Sequence, residues 1–276
     1  MEKISKPRQI SLWLIIEIFV IVNIGFLAID IFIAHSVNSF HHPAEWIPFY
    51  FSLVAPVLLS VEFMLNRRLR AQKLQTIGRV VGYSSIAVGI LGAVFHLNSS
   101  FFESQTIHSL VYAAPFAAPL AYAGLGFLLL VNRSVPAEKL EWGKWLIFLG
   151  MGGFVGNFIL SLLDHAQNGF FFWTEWIPVF SSAIAIGFLS VIFFGKVSRR
   201  FLDLTLAVMF VQVIVGSIGF YFHGMALTSG VDTSFFKNLV STAPIFAPLL
   251  FVNLAFLAGV GIWDVRSKLY HIEGVQ

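Results

Sequence analysis

Eight apolar runs, each long enough to cross a lipid bilayer, occupy most of this chain. They lie near residues 10–34, 46–64, 79–97, 110–131, 145–163, 176–194, 204–222 and 243–262. A transmembrane helix needs about 20 apolar residues, and backbone groups inside a bilayer must form their hydrogen bonds within the protein. The runs are continuous rather than alternating, so they predict helices. Charged residues make up only 11% of the sequence, which leaves little for a water-soluble domain.

Three pairs of similar segments indicate an internal duplication. Residues 35–48 (HSVNSFHHPAEWIP) and 165–178 (HAQNGFFFWTEWIP) agree at seven of fourteen positions. Residues 110–120 and 239–249 agree at seven of eleven, and 89–96 and 216–223 share the pattern G-x-x-G-x-x-F-H. Repetition at a nearly fixed interval is typical of a repeated structural unit.

The predicted fold class is therefore an all-α polytopic membrane protein with eight transmembrane helices in two tandem four-helix repeats. The first repeat covers residues 1–135 and the second covers 136–276. Each repeat holds an even number of spans, so both have the same orientation in the membrane. They are parallel repeats and not the inverted repeats of many transporters.

The basic residues predict the orientation of the bundle. Of the 17 lysines and arginines, all but Lys237 lie before the first predicted span, in every second loop, or after the last span. This asymmetry places those segments in the cytoplasm. We therefore expect a multi-pass protein of the cytoplasmic (inner) membrane with both termini cytoplasmic. The scattered basic groups face anionic lipid, so the lipid bilayer is the expected partner and nucleic acid is not.

Histidines recur at the outer ends of the odd-numbered spans. The repeated histidines are His35, His96, His165 and His223. Carboxylates near them in the sequence are Glu45, Asp164 and Glu175. Neutral imidazole is a common metal ligand, and a nearby carboxylate can orient its second ring nitrogen.

These residues predict a metal or haem site at the outer face, serving redox chemistry or metal handling. Four imidazoles suit copper, iron or zinc, and two pairs of imidazoles suit haem b. The histidines would be the ligands, and the carboxylates would be outer hydrogen-bond acceptors or proton carriers. The chain has no cysteine, which excludes thiolate ligands and covalently attached haem.

Glycines precede two of these histidines at helical spacing. Gly89, Gly92 and His96 are spaced i, i+3, i+7, and the same spacing precedes His223. Residues at this spacing share one helix face. Small residues allow membrane helices to approach closely, so we expect this face to point into the bundle.

Glu17 is an intramembrane acid inside the first predicted span. A charge at such a position costs about 2.5–3.5 kcal/mol, and an acid there is a functional candidate by default. It could relay protons, or it could form a buried hydrogen bond between helices. Glu62, near the end of the second span, is expected to reach the membrane surface or to pair with Arg67.

Other functions fit the same residues. In a cofactor-free transporter or channel, the histidines and acids would line an outer vestibule for a cation, a proton or a small polar solute. Pro56, Pro119 and Pro248 would then permit breaks in the helices, and Glu17 would couple transport. A third hypothesis is an accessory subunit that binds other subunits of a larger membrane complex.

A purely structural interpretation also remains open. Histidine and tryptophan are common at membrane surfaces, and the repeated Glu-Trp-Ile-Pro step suits the start of a helix. No motif identifies a reaction, so the sequence leaves open whether the protein is an enzyme.

Overall fold

The computed structural model describes residues 12–69, 75–229 and 234–273, and within these ranges the chain is helical with no strand. Eleven α-helices occur in the described ranges. They are α1 (Leu12–Ser36), α2 (Trp46–Leu69), α3 (Thr76–Leu97), α4 (Phe101–Ser104), α5 (Ile107–Val111), α6 (Leu120–Ser134), α7 (Leu140–Gln167), α8 (Trp176–Phe194), α9 (Arg199–Thr228), α10 (Phe235–Ser241) and α11 (Leu249–Glu273). Two 3₁₀ turns, Pro43–Glu45 and Trp173–Glu175, lead into α2 and α8.

Seven helices in the described ranges are long and apolar enough to cross a membrane. They comprise α1, α2, α3, α7, α8, α9 and α11. Each overlaps a predicted apolar run, and α7 and α9 extend beyond the predicted ends by several residues. The chain is thus a helical, multi-pass membrane protein.

The predicted fourth span differs from the structure. A continuous apolar run at 110–131 predicted one helix, but α5 ends at Val111 and α6 begins only at Leu120. Pro115 and Pro119 lie in or at the end of the irregular stretch between them. Proline removes a backbone donor and disfavours helix at the residue before it. The 15 residues of α6 span about 22 Å at 1.5 Å per residue, which is less than the hydrocarbon core of about 30 Å.

The corresponding segment of the second half has a similar break. The last apolar run was predicted to begin near residue 243, but α10 ends at Ser241 and α11 begins at Leu249. Pro244 and Pro248 occupy this interruption. Both breaks lie in the sequence that the two halves share, so the same prolines cause both.

The helices pack around two apolar cores. One core lies among α7, α8, α9 and α11 and includes Phe154, Leu189 and Ala258. The other lies among α1, α2, α3 and α6, but it also contains Trp142 from α7. Between α1 and α11, Asn253 Nδ2 donates a hydrogen bond of 2.8 Å to Asn23 Oδ1. The two halves therefore share a core and an interhelical hydrogen bond.

Part of the charge pattern lies outside the described residues. The basic residues at positions 3, 6, 8, 70 and 73 fall there, and so do the side chains of Arg67 and Arg68. Arg133 requires a correction, because it was assigned to a cytoplasmic loop. It lies inside α6, and its side chain is 5% exposed.

Candidate histidine sites

The turn between α1 and α2 has the same backbone form as the turn between α7 and α8. Phe40 and Phe170 both have positive φ angles, of 52° and 53°. The Phe40 amide donates to the carbonyl of His35 at 3.1 Å, and the Phe170 amide donates to that of His165 at 3.0 Å. After each helix, the chain turns through two left-handed residues that lie four and five positions beyond the histidine.

Asparagine and tryptophan hold these turns in place. Asn38 Oδ1 accepts from the Phe40 amide at 3.2 Å, and its Nδ2 donates to Glu45 Oε1 at 2.9 Å. The Phe40 ring stacks on Trp46, with centroids 4.1 Å apart. Every one of these contacts has a counterpart at 168–176, where the stacked centroids are 3.8 Å apart. The shared residues therefore fix the position of one glutamate in each half.

Each fixed glutamate faces a histidine. His35 Nδ1 lies 3.5 Å from Glu45 Oε2, and His165 Nδ1 lies 3.7 Å from Glu175 Oε2. Both Oε2 atoms are buried without a hydrogen bond, because these distances are long for one. The carboxylates lie on the Nδ1 side of both rings.

His96 and His223 use their Nδ1 atoms in a different way. His96 Nδ1 lies 3.1 Å from the carbonyl oxygen of Pro115, and His223 Nδ1 lies 2.8 Å from that of Pro244. Both carbonyls lie in the irregular stretches before α6 and α11, outside any helix. Each also accepts a hydrogen bond from a backbone amide, that of Ala118 or Ala247. The breaks in the predicted spans thus supply the partners of these two histidines.

Glycines allow α3 and α9 to approach the breaks. A Cβ on Gly89 would lie 2.9 Å from the Pro119 oxygen, and one on Gly216 would lie 2.8 Å from the Pro248 oxygen. Gly92 and Gly219 likewise pack against Pro119 and Pro248. The glycine faces point into the bundle, as predicted.

A ring contact in the first half and the matching positions in the second half group the four histidines into two pairs. The His35 and His96 rings have centroids 6.1 Å apart and meet edge to face at 73°. His165 and His223 occupy the corresponding positions of the second half. We call His35, Glu45 and His96 the first histidine set, and His165, Glu175 and His223 the second histidine set. Among the described residues, no group of three or more His, Cys, Asp or Glu is arranged to hold a metal ion.

The remaining predicted acid of this region lies against the first break. Asp164 lines a small open cavity between α7 and residues 110–117. One turn further, Gln167 Nε2 donates to the carbonyl of Val111 at 2.8 Å. Asp164 thus faces a segment of the other half, whereas Glu45 and Glu175 contact the histidines of their own halves.

Three other histidines have separate environments. His41 is exposed. His42 accepts a 3.2 Å hydrogen bond from the Ala44 amide at the start of a 3₁₀ turn. His108 packs on Tyr112 with centroids 4.7 Å apart. None of the three belongs to a histidine set.

Glu17 makes buried hydrogen bonds between helices, one of the two roles expected for it, and it does so within an ion cluster that the sequence did not predict. It is 1% exposed and accepts from Arg133 and, at 3.2 Å, from Asn132 Nδ2. Arg133 also contacts Glu62, with Nη1 3.0 Å from Oε2. Glu62 is 0% exposed, so the prediction that it reaches the membrane surface was wrong. The available signal was the position of Arg133, only two residues beyond a predicted span.

The two sets share one chemical property. Nδ1 of each histidine faces a carboxylate or a carbonyl, which favours the tautomer with its proton on Nδ1. The Nε2 lone pair is then the free one, and Nε2 makes no hydrogen bond to any residue that the structure describes. An imidazole held in this way can bind a metal or accept a proton through Nε2.

Comparison with known proteins gives no further assignment. No family model matches the chain, and no match was found among the curated proteins or the solved structures.

Proposed function

We propose that this protein is an eight-span protein of the cytoplasmic membrane, built from two tandem four-helix repeats, that binds a transition metal or haem at its outer face. The matching turns, glycine contacts and breaks in the two halves support the repeats. The fourth span then consists of α5, the irregular stretch and α6 together, and both termini are cytoplasmic. The basic residues of the alternate loops support this orientation.

Each histidine set provides two ligands. In the first set these are His35 and His96, and in the second they are His165 and His223. Glu45 and Glu175 orient one ring in each pair, and the carbonyls of the breaks orient the other. The observation that carries the proposal is this double arrangement, in which each Nδ1 faces a carboxylate or carbonyl oxygen and no Nε2 has a hydrogen-bond partner among the described residues.

The centroid spacing in the first set matches that of two rings on a shared ion, and binding would require one ring to turn from the edge-to-face contact. Metal–nitrogen bonds to histidine are about 2.0–2.1 Å, so two rings bound on opposite sides of one ion have centroids about 6 Å apart. The observed separation is 6.1 Å. Imidazole suits copper, iron and zinc, and a histidine pair also suits the two axial positions of haem b.

Binding to purified protein tests the proposal. The protein is reconstituted separately with Cu, Fe, Zn and haem b, freed of excess ligand, and analysed by elemental analysis and by absorption. We expect stable retention of one of these ligands, with a Soret band if it is haem. His41→Ala is the control, because an exposed histidine outside both sets should not affect binding. Protein that stays colourless and metal-free under all four conditions would contradict the proposal.

A cofactor-free transporter is the second candidate function, and the broken helices favour it. Interrupted helices near a polar site are common in transporters. Flux of protons or metal cations into proteoliposomes distinguishes the two candidates. If flux depends on Glu17 but is the same in His96→Ala and wild-type protein, the transporter is favoured over the metal or haem protein.

A further inference from the structure

Two carboxylates share one guanidinium where α1, α2 and α6 meet. Glu17 and Glu62 are 1% and 0% exposed, and the Arg133 side chain between them is 5% exposed. Asn132 Nδ2 adds a neutral hydrogen bond to Glu17, and the Gly78 amide in the first turn of α3 lies close to Glu62. Among the described residues, no second cation contacts either carboxylate. With both acids ionised, the cluster would hold an uncompensated negative charge.

Such a charge is unfavourable in this environment. Trp13 and Trp142 donate hydrogen bonds to Asn132, at 2.8 and 3.1 Å, and Trp142 is completely buried. The cluster is therefore enclosed by aromatic side chains within apolar helices. A buried carboxylate with no matching cation neutralises by taking up a proton rather than staying charged.

Polar atoms without hydrogen-bond partners near Glu62 also indicate a bound proton. Glu62 Oε1, Asn66 Oδ1 and Arg133 Nε are buried and make no hydrogen bond. Asn66 follows Glu62 by four residues in α2, so the two side chains share a helix face. A hydroxyl on Glu62 would be a donor for which Asn66 Oδ1 is an available acceptor.

We propose that this cluster is a proton-binding site, with one proton on Glu62 and with Glu17 ionised against Arg133. Uptake converts the Glu62 carboxylate to a carboxylic acid by forming one O–H bond, and release reverses this step without any electron transfer. Glu17 and His35 are 18 residues apart in α1, or about 27 Å at 1.5 Å per residue. The site is thus separate from the histidine sets and gives the opposite end of the bundle a group that exchanges protons.

Infrared spectroscopy of the purified protein tests this inference. At neutral pH, exposed carboxyl groups with ordinary pKa values of about 4 are ionised. The wild-type protein should nevertheless show the carbonyl band of a protonated carboxylic acid, shifted in D₂O. Glu62→Gln should remove one carboxyl group from this band. Glu17→Gln should do the same, because a single remaining carboxylate is matched by Arg133 and ionises.

Asp203→Asn is the control, since Asp203 is a partly exposed partner of Arg266 and should leave the band unchanged. Glutamine has nearly the shape of a protonated glutamate, so both test variants should fold with wild-type helix content. A band of equal intensity in the wild type and both glutamine variants would overturn the proposal. Loss in Glu17→Gln alone would overturn the assignment to Glu62. The wild-type spectrum is a test by itself, because absence of the band at neutral pH would also contradict the proposal.

Discussion

Ser52 and Ser182 occupy matching positions, four residues after Pro48 and Pro178, but their hydroxyls have different environments. Ser52 forms a hydrogen bond with the hydroxyl of Tyr122, which in turn donates to the Pro48 carbonyl at 3.0 Å. In the second half Phe251 takes the place of Tyr122, and Ser182 Oγ is buried without a hydrogen bond. The phenolic oxygen of Tyr122 therefore accounts for the difference between Ser52, which has a hydrogen bond, and Ser182, which has none.

We predict that Tyr122→Phe lowers the free energy of unfolding by about 1 kcal/mol, which is the range of hydrogen bonds between membrane helices. The change leaves the buried Ser52 hydroxyl without its partner. Phe251→Tyr should have the opposite effect, because it offers Ser182 the missing partner. Unfolding in mixed detergent micelles measures both variants. Tyr83→Phe is the control at a 66% exposed tyrosine, and equal stability of all the variants would contradict this account.

At the scale of the helix, the sequence predicted the long helices better than the interruptions within the shared segments. The long apolar runs located all seven membrane-length helices, because a helix that crosses a membrane needs an apolar run of about 20 residues. The interruption before α6 was expected only under the transporter hypothesis, through Pro119, because residues 112–119 are as apolar as a helix. The Pro115 carbonyl in this interruption therefore could not be predicted as the hydrogen-bond partner of His96.

The ion pairs of Arg133 with Glu17 and Glu62 also could not be predicted from the sequence. Arg133 follows an apolar run and resembles a loop charge, and only packing brings it to Glu62 and Glu17. The histidine, glutamate and tryptophan positions could be selected because they occur twice. The grouping of the histidines into pairs depends on how the turns before α2 and α8 pack against the breaks before α6 and α11. Residue spacing along the chain does not predict this packing.

The close contact between α9 and the irregular stretch before α11 leads to a prediction about helix packing. Gly216→Ala would place a methyl group 2.8 Å from the Pro248 oxygen and 2.9 Å from Phe251 Cβ. We expect a loss of about 1–3 kcal/mol, as for other overpacked contacts. Gly224→Ala lies in the same helix and meets nothing within 4 Å, so its stability should change by less than about 0.5 kcal/mol. Thermal unfolding compares the pair, and equal losses would argue against close packing at the break.

The whole molecule is one bundle in which each half contributes to the packing of the other. Trp142 of α7 lies in the core of the first half, and Asp164 lines a cavity formed by residues 110–117. The number of times the chain crosses the membrane depends on whether the short α6 is a crossing. With the short α6 counted as a crossing, the bundle has eight spans and both termini lie on one side. Without α6 it has seven, and the termini lie on opposite sides.

Labelling of single cysteines tests the crossing by α6. The native chain has no cysteine, so one substitution gives one labelled position. Ser104→Cys and Glu138→Cys lie in exposed segments before and after the fourth predicted span. We expect a membrane-impermeant maleimide applied to intact cells to label only Ser104→Cys, and to label both after lysis. Labelling of both in intact cells would show that α6 does not cross.

The stoichiometry of ligand binding in variants of each half tests the central claim most directly. Wild-type protein loaded with the metal or haem that it retains should hold one per histidine set, or two per chain. His96→Ala and His223→Ala should each hold one, and the double variant should hold none, with wild-type helix content throughout. Undiminished binding in the double variant would contradict the assignment of these histidines as ligands.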